Sequence, residues 1–452
     1  MFAGNLKATN RARARTATLH SGSLHLREVL RGASISFLLR CIGTLLGFTV
    51  SVAIARLLGA EGSGIYYLAL SASTIAATLG QFGFENTVVR FVAARAEVEK
   101  WGDVSFVYRT AVKVVALASL LAALLLLVGA PWFAEHLFGK PDIERSLICA
   151  SFAVVPFALT SIQSQALRGL KEMVAFQSLQ SVMVPLGTLL LLYPAIRRSQ
   201  AEGAIAAYVT ATFVTAILAG LAWRRAFRIR APRSLTIHSA LHPRILFQSS
   251  GPLFGVTLTA LVMQHAPTLF LGIWGSVDDI GVFNVANRVA NLLLFPLFAM
   301  ISTLAPKFAV LHQSGKTQEL AHLVRHSSMI LGIFAVCAST ALYLGAEEVM
   351  KLFGQDFTGG IWPLRILLCG VLVNVATGAV GELLIMTGHE RWTRNLHVCG
   401  AALIVALCLA LLPRFGAIGA AFSVGAGYAA LNLAMVAVVR IRLGFWPLGV
   451  RP

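Results

Sequence analysis

The chain reads as an all-α polytopic membrane protein in which twelve transmembrane helices form two parallel six-helix repeats around a central cleft. Three observations lead there. Of its 452 residues 57 % are apolar and only 12 % charged, with a mean hydropathy of +0.77, whereas soluble chains carry about 25 % charged residues. Twelve apolar stretches are long enough to cross a hydrocarbon core of roughly 30 Å at about 1.5 Å per residue. Three short motifs recur in the same order at offsets of 213 to 215 residues, the mark of an internal duplication.

The first 32 residues carry basic side chains but no apolar core, which predicts a flexible cytoplasmic leader rather than a cleavable signal. The first span, 33–58, places Arg40 at a depth that a lipid-facing surface cannot tolerate, so a polar cavity or a partner is expected beside it. Gly43 and Gly47 form a small-xxx-small pair through which another helix can approach closely. Further spans at 63–84, 107–129, 146–168, 173–194 and 202–223 complete a first bundle, 33–223. A basic linker, 224–244, joins it to the second bundle and is expected to lie along anionic membrane lipids. The second bundle, 245–440, holds spans at 245–271, 281–306, 327–346, 361–386, 393–412 and 416–439, and a cytoplasmic tail, 441–452, follows. Pro156, Pro185, Pro252, Pro267 and Pro296 interrupt helical stretches, either as bend points or as fixed packing kinks.

The duplication is read from RLLGAEGSGIYYLA, beginning at Arg56, against LFLGIWGSVDDIGVFNVA, beginning at Leu269. It is read again from EHLFGKPDIE, beginning at Glu135, against MKLFGQDFTGG, beginning at Met350, and from AEGAIAA at Ala201 against FGAIGAA at Phe415. Six spans is an even number, so both copies must have the same orientation, as in transporters whose halves are related by an axis along the membrane normal.

Orientation follows from the basic residues. With the N-terminus cytoplasmic, that side receives 27 of the 37 Lys and Arg residues and the opposite side 6; Arg40, Arg56, Arg288 and Arg365 fall within spans. Both termini are therefore expected inside, and the net charge of +18 is a topology signal rather than a mark of nucleic-acid binding.

Arg40 and Arg288 are the candidate substrate-binding residues, with Asn284 and Asn291 at i−4 and i+3 from Arg288 on one helical face. Arginine presents a rigid fork of donors to phosphate oxygens, and asparagine can hold sugar hydroxyls or water. The competing reading is a structural salt bridge, or snorkelling toward an interface for Arg56 and Arg365. Glu382, an acid well inside the tenth span with Asn374 at i−8, is a candidate for coupling or for balancing cavity charge. Glu85 and Arg90, at the end of the second span, read as a gate or an anchor. No P-loop, CxxC pair or HExxH motif is present, and the six cysteines fall in apolar stretches as packing residues, so no enzyme, cofactor or metal centre is expected.

The stretch ARLLGAEGSGIYYLALSASTIAATLGQFGFENTVVRFVA, residues 55–93, resembles the N-terminal signature of the polysaccharide-unit flippases, and NVANRVANLLLFPLFAMISTLAPKFA, residues 284–309, resembles their eighth helix. The likeness runs from about residue 28 to 445 and places the chain in the multidrug/oligosaccharidyl-lipid/polysaccharide exporter superfamily. The resemblance implies translocation of an undecaprenyl-diphosphate-linked oligosaccharide from the cytoplasmic to the periplasmic leaflet of a bacterial inner membrane, as in O-antigen or exopolysaccharide export. Arg40 and Arg288 match the cationic residues that hold the diphosphate sugar in that family. Sodium or proton coupling, and a polysaccharide polymerase and glycosyltransferases as partners, belong to the same expectation. A multidrug-extrusion-type cation-coupled antiporter, a peptidoglycan lipid flippase and a non-transporting scaffold are the alternatives. The first lacks its acidic residue in the first helix here, and the second commonly carries extra C-terminal helices beyond twelve spans.

Overall fold

The computed structural model describes residues 35–232 and 241–448, the side chain of Pro252 excepted. The expected leader, 1–32, lies outside the described residues, as do the middle of the linker, 233–240, and the end of the tail, 449–452. Every regular element among the described residues is helical. Helix α1 is assigned over Phe2–Gln81, α2 over Phe84–Glu97 and α3 over Trp101–Trp132, which runs into a π-turn at Phe133–Leu137. Next come α4 (Glu144–Gly169), α5 (Met173–Gln177), a π-segment at Ser178–Val182 and α6 (Met183–Arg230). The rest is α7 (Pro243–Trp274), α8 (Val277–Asn291), α9 (Phe295–Gln313), α10 (Thr317–Leu344), α11 (Ala346–Lys351), α12 (Ile361–Ala376), α13 (Val380–Met386) and α14 (Glu390–Leu443).

Among the described residues nine helical stretches are long and apolar enough to cross a membrane, and the protein is a multi-pass membrane protein. Three of them, of 47, 58 and 54 residues, far exceed the roughly 20 residues one crossing needs. Each is broken near its middle: α1 at Gly59 (φ 70°), α6 at Ser199 and Gln200, and α14 at Gly416 (φ 49°). The chain folds back at these points. A Cβ on Gly203 would collide with the carbonyl of Ala195, and one on Gly419 would sit 2.8 Å from the carbonyl of Leu411, whereas residues eight apart on a straight helix are about 12 Å apart. Glycine at Gly59 and Gly416 supplies positive φ without a Cβ penalty.

The breaks do not fall at the prolines singled out in the sequence. Pro156 and Pro267 lie inside continuous helices, and Pro296 opens α9 after a short 3₁₀ turn at Leu292–Leu294. The tenth expected span is itself interrupted: α12 ends at Ala376, α13 begins at Val380, and Gly378 has φ +72°. Asn374 and Glu382 therefore stand on different helices, and the i, i+8 spacing no longer sets their relation.

The outward faces are apolar. On α3, Leu117, Leu121, Leu125 and Val128 share one face and are largely exposed, an arrangement suited to hydrocarbon and not to water. The main core cluster unites residues of α1, α7, α8, α12 and α14, so the seam between the two halves is part of the core, and a second cluster fills the space among α1–α4 and α6. Close approach follows small residues: Gly370 of α12 lies against Gly425 of α14, and Gly43 of α1 against the carbonyl of Ser181 in the π-segment. The expected small-xxx-small pair is thus half used, because nothing of another element approaches the Cβ position of Gly47 within 4 Å.

Candidate functional site: the contact of α1 and α8

Helix α8 begins with a capping box: Asp279 N donates to Ser276 Oγ at 3.0 Å and Ser276 N donates to Asp279 Oδ2 at 3.2 Å. This fixes the entry of the helix. Ile280, Val282, Phe283, Val285, Ala286, Val289 and Ala290 are then buried, and Asn284, Asn287, Arg288 and Asn291 remain as the polar stripe. Of this stripe Arg288 and Asn291 are exposed, although α8 packs closely on α1.

Helix α1 offers the facing surface. Arg40, Thr44, Gly47 and Ser51 stand at i, i+4, i+7 and i+11, which places them on one side of a helix. Arg288 Nη1 donates to the Gly47 carbonyl at 2.8 Å and to Ser51 Oγ, and Ser51 Oγ donates in turn to the same carbonyl at 3.0 Å. Its guanidinium also lies 5.8 Å from the centroid of the Tyr67 ring, on the returning limb of α1. One arginine of the second half thus touches both limbs of the first helix. Arg40 lies over Phe298 of α9, 4.4 Å from the ring centroid. Arg40 lies about 10 Å along α1 from Gly47, where Arg288 is held. Among the described residues neither arginine forms an ion pair with a carboxylate. Cation–π contact stabilises a guanidinium without neutralising it, and the site therefore presents uncompensated positive charge together with hydroxyl and amide groups.

The remaining sequence candidates are placed as follows. Asn284 faces its own half, donating to the Ile280 carbonyl at 2.8 Å and accepting from Thr268 of α7 at 3.2 Å, while Asn291 donates to Asn287 at 3.2 Å. Glu85 sits on the inner side of α2, where Ser161 of α4 donates to it. Ser164, one turn along α4, donates at 2.8 Å to Gln180, which is exposed. Arg90, five residues from Glu85, points away into a surface hollow lined also by Phe91, Arg95 and Lys100, so the two do not form one unit. Glu382 and Asn374 are half-buried in the second half, apart from the α1–α8 surface. Ser51, Tyr67 and Phe298 were not singled out from the sequence. Ser51 was findable, lying on the Arg40 face, whereas Tyr67 and Phe298 come near only through the fold-back of α1 and the turn before α9.

The fold is similar to that of solved transporters of the MOP superfamily. A solved multidrug resistance MATE family transporter of that superfamily, in an inward-facing conformation, superposes with a TM-score of 0.72 at 15 % identity over 91 % of this chain and 98 % of that one. The lipid II flippase MurJ in an inward closed conformation superposes with a TM-score of 0.71 at 12 % identity over 89 % and 87 %. The chain belongs to the family described as "Polysaccharide biosynthesis protein", whose model matches residues 29–312. This agrees with the family read from residues 55–93 and 284–309. Stage V sporulation protein B of Bacillus subtilis (strain 168) is 29 % identical over 147 residues, a match that spans 32 % of this chain and 28 % of that relative.

Proposed function

We infer that this protein is a flippase that moves an undecaprenyl-diphosphate-linked oligosaccharide from the cytoplasmic to the periplasmic leaflet of a bacterial inner membrane by alternating access. The observation that carries the reading is the pair of arginines without carboxylate partners, Arg40 and Arg288, on facing surfaces of α1 and α9–α8. A diphosphate supplies the missing negative charge and accepts from the free edges of both guanidinium groups, while Asn291 and Asn287 meet sugar hydroxyls. The lipid tail stays in the bilayer. The three fold-backs support twelve crossings in two six-helix halves, and the Lys and Arg distribution supports cytoplasmic termini. The Gly59 end of the molecule is then periplasmic. In this arrangement 33–223 and 245–440 are the two bundles and 224–244 the linker on anionic lipid. Coupling to a sodium or proton gradient is assigned to Glu382, the half-buried carboxylate on α13. Glycosyltransferases would supply the substrate and a polysaccharide polymerase would consume it.

The fold likeness to MurJ favours a peptidoglycan lipid intermediate as the second reading, since that cargo shares the diphosphate. A cleft with unneutralised arginines opposes the organic cations of an extrusion antiporter. The deciding experiment is a flipping assay in proteoliposomes with defined lipid-linked saccharides, comparing wild type with Arg40→Ala, Arg288→Ala and the double variant. Each single change is expected to lower flipping roughly tenfold or more, by the loss of charge-assisted bonds. The double variant is expected to cost less than the sum of the two in free energy, because the sites share one headgroup. Full activity in well-folded single variants removes the residue assignment. Export of a small cation without saccharide movement moves the protein to the antiporter class.

A further inference from the structure

The sequence echo LFG, at Leu137–Gly139 and Leu352–Gly354, has so far no role, and both copies lie at the Gly59 end of the seam. Phe138 and Phe353 are both buried. The ring of Phe353 stands edge-on to Phe48 of α1, with centroids 5.6 Å apart and planes at 82°. Beside it the carbonyl of Leu352 accepts from Arg56 Nε at 2.7 Å. In the other copy the ring of Phe138 lies against Gly272 of α7, where an added Cβ would come within 2.9 Å of it, and Lys140 Nζ donates to the Gly272 carbonyl.

The two contacts are crossed. Each half presses the phenylalanine of its LFG turn against the first helix of the other half, and in each case a cation of the first half reaches a carbonyl of the second. The acceptors are suited to this. Gly272 is in the last turn of α7 and Leu352 follows the last residue of α11, where carbonyls lack intrahelical partners and the helix dipole favours positive charge. Of the acids near Leu352, Glu347 and Glu348 are held by Lys351 at 2.7 and 3.5 Å, and the Asp356 carboxylate lies beside Gly59. Glycines let the backbones meet between these points: Gly64 abuts the Val277 carbonyl and Gly281 the Ala60 carbonyl.

We propose that the two LFG turns form a matched pair of latches across the seam, and that Arg56 and Lys140 are positioning residues that keep this end closed until the headgroup is to leave. The proposal rests on the alternating-access reading, and its test uses no substrate. A single reporter cysteine replaces Ser63, which is fully buried beside Gly64, in a background with the six native cysteines replaced. The protein is placed in lipid nanodiscs, where both faces are reachable, and the initial rate of maleimide labelling is measured. Arg56→Gln and Lys140→Gln are each expected to raise that rate at least threefold, and the double variant more than either. Arg56→Lys, which preserves the charge, is expected to return the rate to within twofold of the parent. Phe138→Leu and Phe353→Leu, which keep the bonding residues but thin the inserted ring, provide a second pair in case a glutamine variant does not fold, and each is expected to raise the rate at least twofold. Labelling within twofold of the parent in every folded variant overturns the latch. Faster labelling in a protein that flips no saccharide upholds the latch and overturns the substrate assignment instead.

Discussion

The two ends of the seam between the halves share close backbone contacts and differ in what surrounds them. At the Gly59 end, backbone meets backbone at Gly64 and Gly281, and cations of one half are bound to carbonyls of the other. At the Arg40 end backbone also meets backbone, with Gly83 against the Ser250 carbonyl, and rings flank the contact: Phe82 stacks on Phe254 at 4.8 Å and Phe84 meets Phe247 edge-on at 5.2 Å. On the α1 face beside it Arg40 is exposed, whereas Ser51 is buried and accepts from Arg288. Neither backbone contact leaves room for a side chain, so the difference lies in the hydrogen bonds from cations to carbonyls, which depend on direction.

The largest expected effect lies where backbones touch. Gly64→Val places two methyl groups against the Val277 carbonyl, and overpacking of this kind costs about 3 kcal/mol. A markedly lower midpoint in detergent thermal unfolding is expected, with faster labelling at Ser63 in the folded fraction. An unchanged midpoint with unchanged labelling would show that the Gly59 end is looser than its geometry implies.

Next comes the bridge from α8 to α1. Ser51→Ala removes one of the two acceptors of Arg288 Nη1 and leaves the Gly47 carbonyl, a loss of about 1 kcal/mol. About a fivefold change in flipping rate is expected, with thermal stability moved by only a few degrees. Separating rate from midpoint in this variant sharpens whether Arg288 serves substrate or serves the seam. Glu382→Gln carries a third expectation: the pH dependence of flipping flattens if this carboxylate couples transport, while Glu85→Gln, in the other half, leaves the pH profile in place. The reverse result would transfer coupling to the buried acid next to Ser161.

The smallest effect is expected at an exposed pair close to the latch. Lys351 hydrogen-bonds Glu347 and holds its carboxyl below the usual carboxylate range, and the same bond raises the Lys351 ammonium. Both groups are open to water, where such pairs contribute little. Glu347→Gln is expected to leave the unfolding midpoint and the Ser63 labelling rate unchanged at 0.15 M salt or above. A clear rise in labelling would mean that Lys351, once released, competes for the Leu352 region and that the latch includes this pair.

Most of the helices were legible because hydropathy is a local property. A stretch such as 107–129 is apolar whatever its neighbours do, and α3 covers it. Break points were less legible. Proline drew attention, yet Pro156 and Pro267 sit in unbroken helices while Gln200 and Gly416 turn the chain. In a membrane interior, neighbouring groups can satisfy the carbonyl freed by a proline, whereas positive φ reverses direction at once. Asn374 and Glu382 illustrate the same point, since a single positive φ at Gly378 dissolved their shared register.

By itself the sequence determined the membrane class, the approximate limits of the apolar stretches, the recurrence at 213 to 215 residues and the rarity of charge within the spans. Each of these is set by the composition of a short window or by its repetition. Only the tertiary structure decided that Arg288 reaches across to Gly47 and Ser51, that Arg40 lies over Phe298, and that each LFG turn grips the opposite half. Residues 241 positions apart in the chain, as Gly47 and Arg288 are, meet only after the fold-backs set the angle between helices and the glycines allow backbones to touch. That geometry is a joint property of many side chains packing at once, and no local window contains it.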